Sequence, residues 1–336
     1  MMTLSENVKG RGLEYVECCP AHERHVSKIN EHITENNSMI SYGKMMKFLI
    51  QGAHPTMGKV IAGIALAIFL FFSLRWLHHS NANATFTRYK IEFPSLPEAF
   101  HNFKIAHISD FHNTKNERIK KAILRKLKHE QPDMIAITGD LIDSRRTDIG
   151  AALTFINKLA DIAPCYYVTG NHESRLGKNE LRRLMEGLEE AGVHVLSGRE
   201  AFIARNDETI SIIGIDDPCF SFKQTGVLEN PTPESIDALS KGDAFSILLS
   251  HRPELYETYK KANVHLVLAG HAHGGQFRLP YIGGLFAPNQ GFFPKYDGGK
   301  YGEDDFAMVV SRGVGNSLFP VRFNNPPEVV FIELKN

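Results

Sequence analysis

"DMIAITGDLID", residues 133–143, is a short apolar run that stops at Gly139-Asp140 and carries a second carboxylate at Asp143. Met134 to Thr138 has the length of a strand, and three of its residues are β-branched. The flanking segments follow the same rhythm. Upstream, "FKIAHIS" (103–109) reads as a strand and "NERIKKAILRKLKHE" (116–130) has helical periodicity. Downstream, "IGAALTFINKLAD" (149–161) is helical, "CYYVTG" (165–170) is a strand, and "NELRRLMEGLEEAG" (179–192) is a helix closing on glycine. Strand–helix alternation predicts an α/β fold with a parallel core. Strand patterns recur in "HVLSG", "AFIAR", "TISIIGI", "AFSILLS" and "VHLVLAG". At the end, "FAMVVSRGVGN" and "EVVFIEL" predict further strands in an antiparallel setting.

A chain of 336 residues with 43% hydrophobic side chains supports one large domain or two modest ones with a real core. Lys+Arg and Asp+Glu both number 38, so net charge is zero, which argues against general nucleic-acid binding. The four cysteines form no C-x-x-C motif, which argues against a disulfide framework or a zinc–thiolate site.

One segment breaks the globular pattern. "VIAGIALAIFLFFSL" (Val60–Leu74) is uncharged, bounded by Lys59 and Arg75, and followed by Trp76. Snorkelling cations and an interfacial indole suit a membrane anchor over Val60–Leu77. Two other readings compete: a cleaved signal sequence ending near "ANA" (Ala82–Ala84), and a buried core helix. The cations on the two sides nearly balance, so orientation is not decided. The expected organisation is a polar segment over 1–56, a transmembrane helix over 57–79, and a catalytic domain over 80–336. "HHSNANAT" reads as the linker, "TRYKIEF" as a strand and "PSLPE" as a turn.

In open α/β sheets, ligands bind beyond the carboxyl ends of the strands. Five successive run ends carry chemistry there: Asp110 and His112; Asp140 and Asp143; Asn171, His172 and Glu173; His251; His271 and His273. Each alone is weak, since Gly-Asp at a strand end is ordinarily a turn. Alternate residues of an extended segment share a face, so Asp110 and His112 can hold one ion together. By the same spacing, His271 and His273 can reach one site or two adjacent ones.

In order, "DFH", "GDLID", "GNHE", "SH" and "GHAH" resemble the motifs of the calcineurin-like metallophosphoesterase superfamily, over roughly Phe103 to the last residue. The tail "SRGVGNSLFPVRFNNPPEVVFIEL", the "GGQFRLP" after His273 and the upstream apolar helix resemble its membrane-anchored bacterial branch. The resemblance implies a four-layer α/β/β/α sandwich of two packed sheets flanked by helices. It also implies two divalent metal ions. Asp110, His112 and His273 would hold the first, Asn171, His251 and His271 the second, and Asp140 would bridge them. His172 would sit over the scissile bond, with Asp143 and Glu173 supporting from behind. Asn113 departs from the family pattern, which has a small or apolar residue there.

The chemistry asks for such a set. A phosphodiester is anionic and repels hydroxide. Two divalent ions against two carboxylates leave a centre of about +2, which can hold hydroxide and phosphate together. His172 suits protonation of a leaving alkoxide. Nitrogen and oxygen donors without thiolate favour Mn, Fe, Zn or Ni, and the resemblance puts Mn first. His265 precedes its apolar run and His107 lies within one, so both read as structural; His78 and His79 read as interfacial or linker residues. Arg312 and Arg322 have two readings, surface salt bridges or contacts to substrate phosphate. "LPYIGGLFAPNQGFFPKYDGG" (279–299) is either a loop packed on the sheet edge or an apolar lip that admits a lipid-linked phosphate.

The expected function is a single-pass, membrane-tethered phosphoesterase of the bacterial cell membrane. It would cleave phosphodiester, phosphomonoester or pyrophosphate bonds of a lipid or cell-envelope substrate, for instance UDP-2,3-diacylglucosamine. The alternatives are a nuclease of the same fold, which zero net charge disfavours, and a membrane-bound metal-binding scaffold without turnover, which the full ligand set and His172 disfavour.

Overall fold

Strands that are apolar at every position need cover on both faces, and two packed sheets supply it. The computed structural model describes residues 55–316 and 319–336; all but the last two residues of the expected polar segment lie outside them. The first sheet contains β1 (Thr85–Glu92), β2 (Lys104–Ile108), β3 (Met134–Thr138), β4 (Cys165–Val168), β5 (His194–Val195) and β16 (Glu328–Lys335), in the order β1-β16-β2-β3-β4-β5. The second contains β6 (Arg199–Arg205), β7 (Glu208–Gly214), β8 (Ser246–Leu249), β9 (Leu266–Ala269), β14 (Gly299–Tyr301) and β15 (Ala307–Val310), in the order β14-β15-β9-β8-β7-β6. Two small hairpins, β10 (Arg278–Leu279) with β11 (Gly283–Gly284) and β12 (Phe286–Ala287) with β13 (Gly291–Phe292), lie between β9 and β14.

Period-2 alternation sorts each strand between two cores. Met134 and Ala136 of β3 face Ile247 and Leu249 of β8 and Leu266 and Leu268 of β9 between the sheets. Ile135 and Ile137 face the other way, against Ile123 and Leu127 of α2 (Glu117–Glu130), Ile156 of α3 (Ile149–Ala160) and Leu184 of α4 (Lys178–Glu190). Beyond the second sheet, Leu248, Val267 and Met308 pack with Tyr256 and Tyr259 of α5 (Tyr256–Lys261). Four layers result, α/β/β/α, as the motifs imply. Capping reinforces the helices: the Asn116 side chain accepts from the amides of Arg118 and Ile119 at the start of α2, and Gln131 ends it in a left-handed turn.

Pairing of the last strands differs from the antiparallel expectation. β15 is antiparallel to β14 but parallel to β9. β16 is antiparallel to β2 but parallel to β1. Each enters between two neighbours of opposite direction, a choice that its own residue pattern does not encode.

The apolar segment forms helix α1 (Pro55–Ala82). Met57–Ala82 is 26 residues long, and its most apolar stretch of 18 residues has a mean hydropathy of 2.2 with none of it buried among the described residues. At about 1.5 Å per residue it exceeds the roughly 30 Å of a hydrocarbon core. It is long and apolar enough to cross a membrane. The helix also continues into the expected linker as far as Ala82, where its final turn has partners. Residues 72–336 form one compact unit. Within it the Trp76 ring packs on Phe323 at 4.9 Å. The Asn81 side chain donates to the Arg322 carbonyl and accepts from the Arg322 amide, both at 2.8 Å. Two hydrogen bonds of this kind contribute about 1–3 kcal/mol net. Asn81→Ala in the full chain is therefore expected to destabilise the catalytic unit by about that amount, read as a lowered thermal-unfolding midpoint in detergent.

Candidate metal centre

All the sequence-selected chelating side chains follow carboxyl ends of parallel strands: β2 for Asp110 and His112, β3 for Asp140, β4 for Asn171, β8 for His251, β9 for His271 and His273. The chain must turn sharply there to aim side chains back over the sheet edges. Asp110, His112, Asp140, His271 and His273 accordingly adopt left-handed backbone conformations, with φ between 46° and 65°. Such strain in non-glycine residues gathers at functional sites. The motif glycines answer a different need, close approach. A Cβ on Gly170 would stand 2.3 Å from Asp140 Oδ1, and one on Gly270 would stand 2.5 Å from Asp110 Oδ2.

Two overlapping clusters result. Asp110, His112, Asp140 and His273 bring one ligand atom each within 4.8 Å of one another, and so do Asp140, His251 and His271. In the first, His112 Nε2 lies 3.1 Å from His273 Nε2 and 3.4 Å from Asp140 Oδ2, and His273 Nε2 lies 3.3 Å from Asp110 Oδ1. In the second, His251 Nε2 lies 3.4 Å from the same Asp140 Oδ2 and 3.2 Å from His271 Nδ1. His251 Nδ1 faces the Thr138 carbonyl at 2.7 Å; donating there leaves Nε2 with its lone pair for the site. Asn171 Oδ1 is buried without a hydrogen-bond donor. An orphaned amide oxygen, imidazole nitrogens turned towards one another and two carboxylates fit a pair of divalent cations.

Charge balance points the same way. Burial alone would raise the Asp110 carboxyl, but His273, His112 and His251 hold it below the ordinary carboxylate range. Asp140 is likewise held low against burial, chiefly by His251. Burial opposes a charged His251, yet the Asp140 carboxylate beside it pushes that imidazole up to about 10. Protons thus supply the positive charge that cations would otherwise bring.

His172 sits at the margin, with Nε2 3.9 Å from Asp140 Oδ2. The Ser144 amide donates to His172 Nδ1 at 3.0 Å, which places the ring proton on Nε2, towards the ligands. Burial pushes the imidazole down to about 4, so it is neutral near pH 7. Glu173 lies behind Asp140: its carboxylate accepts from the amides of Asp140, Gly170 and Ile142. Burial and the Asp140 charge push that carboxyl up to about 7. Asp143 lies behind His172, accepting from the Arg145 amide and pairing with Arg146. Asn113 is a brace: its Oδ1 accepts from the amides of Asp143 and Asp148, and its Nδ2 donates to the Asp148 carbonyl. Asn113 thereby holds the loop that carries Ser144, and it does not line the cavity above the ligands.

Of the two arginines, Arg312 forms a salt bridge, as one reading had it, and Arg322 is not at the surface. Arg322 is completely buried, donating to the carbonyls of Arg312 and Gly315 and to Asn316 Oδ1. Arg312 pairs with Glu328 at 2.7 Å. Neither lines the cavity over the ligands; Arg312 also donates to Thr85 Oγ1, and Arg322 Nη2 lies 3.4 Å from His273 Nδ1, behind that imidazole. Of the structural histidines, His107 is buried against Thr138 Oγ1, and His265 stacks on Phe245. Sequence reasoning missed Ser144, Arg145, Arg175, Arg252 and Asn289. Arg252 adjoins His251 and could have been suspected; the others lie in loops without a pattern.

The raised His251 carries a sign for cation binding. Below about pH 10 the cation-free ring is protonated, whereas a ligating ring must be neutral. Cation uptake at pH 8 is expected to release about one proton from His251. Calorimetric titrations in buffers of different ionisation enthalpy measure that release.

Residues 103–275, just over half the chain, match the calcineurin-like phosphoesterase family. The phosphodiesterase YaeI of Escherichia coli is 30% identical over 236 residues, covering 69% of this chain and 82% of its own length. The metallophosphoesterase YkuE of Bacillus subtilis is 29% identical over 256 residues, covering 74% and 85%. A metallophosphoesterase of Aquifex aeolicus is 30% identical over 258 residues, covering 74% and 90%. Matched span and relatives agree with what the strand ends assemble, and the chain belongs to the calcineurin-like phosphoesterases, hydrolases of phosphoric esters.

Proposed function

We propose that the protein is a membrane-tethered phosphodiesterase whose substrate carries an apolar group close to the reacting phosphate, a lipid or cell-envelope ester of the UDP-2,3-diacylglucosamine kind. One observation carries this. The cavity above the ligands, about 570 Å³, is lined by both cationic and apolar side chains: Arg145, Arg175 and Arg252, together with Phe286, Pro288 and Phe319. Guanidinium groups suit phosphate oxygens. Aromatic and proline surface suits a chain or ring that leaves water. An amphiphilic phosphate ester satisfies both.

Asp110, His112, His273 and Asp140 would hold the first cation, and Asp140, Asn171, His251 and His271 the second. Bound cations of the Mn²⁺ type lower the pKa of water and clamp phosphoryl oxygens for in-line attack. The chain's own groups do the remainder. Arg145 and Arg175 counter the substrate's further negative charge. His172, kept neutral by burial and oriented by Ser144, presents Nε2–H as a hydrogen-bond donor to the oxygen of the departing alkoxide and steadies its charge, and that alkoxide takes its proton from water. Phe286 and Phe319 keep water from the apolar part of the substrate. Helix α1 would keep the enzyme at the surface where such substrates reside.

With Mn²⁺, the purified full chain is expected to hydrolyse bis-p-nitrophenyl phosphate. Asp140→Asn should lower kcat/KM by at least about 10²-fold, the scale of one lost electrostatic contact in a transition state. An inert wild-type protein would favour the metal-binding scaffold instead. The lip is tested separately. Phe292 and Phe293 are 69% and 60% exposed near the Phe286 wall. Replacing both with Ser should lower kcat/KM on a lipid-linked diester by roughly 10-fold or more, the effect of lost apolar burial, while sparing the small chromogenic diester. Equal losses on both substrates would remove the lipid reading.

A further inference from the structure

His271 has two faces with different neighbours. Nδ1 turns inward, 3.2 Å from His251 Nε2. Nε2 turns outward, 2.9 Å from Arg252 Nη1 and 3.0 Å from Asn289 Oδ1. A neutral imidazole carries one N–H and one lone pair. If Nε2 accepts from Arg252, Nδ1 holds the proton and offers nothing to a cation. If Nε2 holds the proton, it needs an acceptor, and a guanidinium has none.

Asn289 supplies that acceptor. Arg252 Nη1 donates to Asn289 Oδ1 at 2.7 Å, which also fixes the orientation of the amide, since arginine can only donate. Arg252 cannot swing aside, because Asp217 pairs with its Nε and, at 2.9 Å, with its Nη2. Asn289 is equally constrained. It occupies the turn between β12 and β13 with φ 61°. The neighbouring Gln290 exchanges two 2.9 Å hydrogen bonds with the Tyr296 backbone.

We propose, resting on the two-cation reading above, that Asn289 is a positioning residue for the second cation. Its carbonyl oxygen accepts from both Arg252 and His271 Nε2–H, and so keeps the Nδ1 lone pair pointed at the site. The hairpin that bears the Phe286 wall thus also sets which nitrogen of His271 can ligate.

The test titrates cation-free full-length protein in detergent with Mn²⁺, read by calorimetry and by electron paramagnetic resonance. Wild type is expected to take up two ions. Asn289→Ala should keep the first and bind the second about 10–100-fold more weakly, the usual cost of losing a hydrogen-bond partner behind a metal-ligating histidine. Asn289→Asp retains an acceptor and should restore the second ion. Retained uptake at the first site shows that each variant is folded. Wild-type affinity for both ions in Asn289→Ala, or failure of Asn289→Asp to restore the second, would overturn the assignment. A wild-type chain that binds no Mn²⁺ would overturn the two-cation reading itself and this assignment with it.

Discussion

Two carboxylates with almost no access to water, Asp110 and Asp140, stand where the two sheets converge. A charge in such a place is tolerable only among donors and positive partners, and the surrounding structure is an answer to that demand. Asp140 carries the larger share. Its Oδ1 accepts from the His172 amide, its own amide is held by Glu173, and its Oδ2 faces His112 and His251 from opposite clusters. Glycine at 139 and 170 lets two loops close on it, since a Cβ on Gly139 would meet Gly170 at 2.7 Å. Left-handed turns at five chelating residues are the local cost of converging so many side chains on one point.

That demand also explains why so much was legible in the sequence. Strands such as Met134–Thr138, buried on both faces, cannot disguise themselves as anything but apolar runs, and the residue that follows each run must be where the sheet edge opens. Position at run ends therefore marked Asp110, His112, Asp140, Asn171, His251, His271 and His273 as candidates, each weak alone, and the resemblance carried by their order implied the ligand set and the four-layer architecture. His107 and His265 were separable from the chelating histidines by the same rule.

What remained hidden depends on partners distant in sequence. Ser144, Asn113 and Asn289 act through backbone amides and outward ring nitrogens, and loops leave no periodic trace of such contacts. The docking of Asn81 against Arg322 joins positions 241 residues apart, so "HHSNANAT" reads as a linker although its first five residues, to Ala82, continue the helix. For Arg322 the sequence offers a surface salt bridge or a contact to substrate phosphate, and its surroundings match neither. Here it is enclosed by main-chain carbonyls that only the folded tail can present. Strand direction was misjudged at β15 and β16 for a related reason: an apolar alternation reveals a face, not the heading of the neighbour.

The position of β16 reaches beyond the mature structure. It lies between β1 and β2, pairing with both, so the first sheet cannot close until residues 328–335 have left the ribosome. During synthesis β1 and β2 wait with unsatisfied backbone edges, an invitation to mispairing that nascent chains must survive. Segments that emerge hundreds of residues apart meet only once residues 328–335 have been made. Translation products broken off before that point would lack the strand that joins β1 to the rest of the sheet, which makes them natural clients of chaperones and proteases.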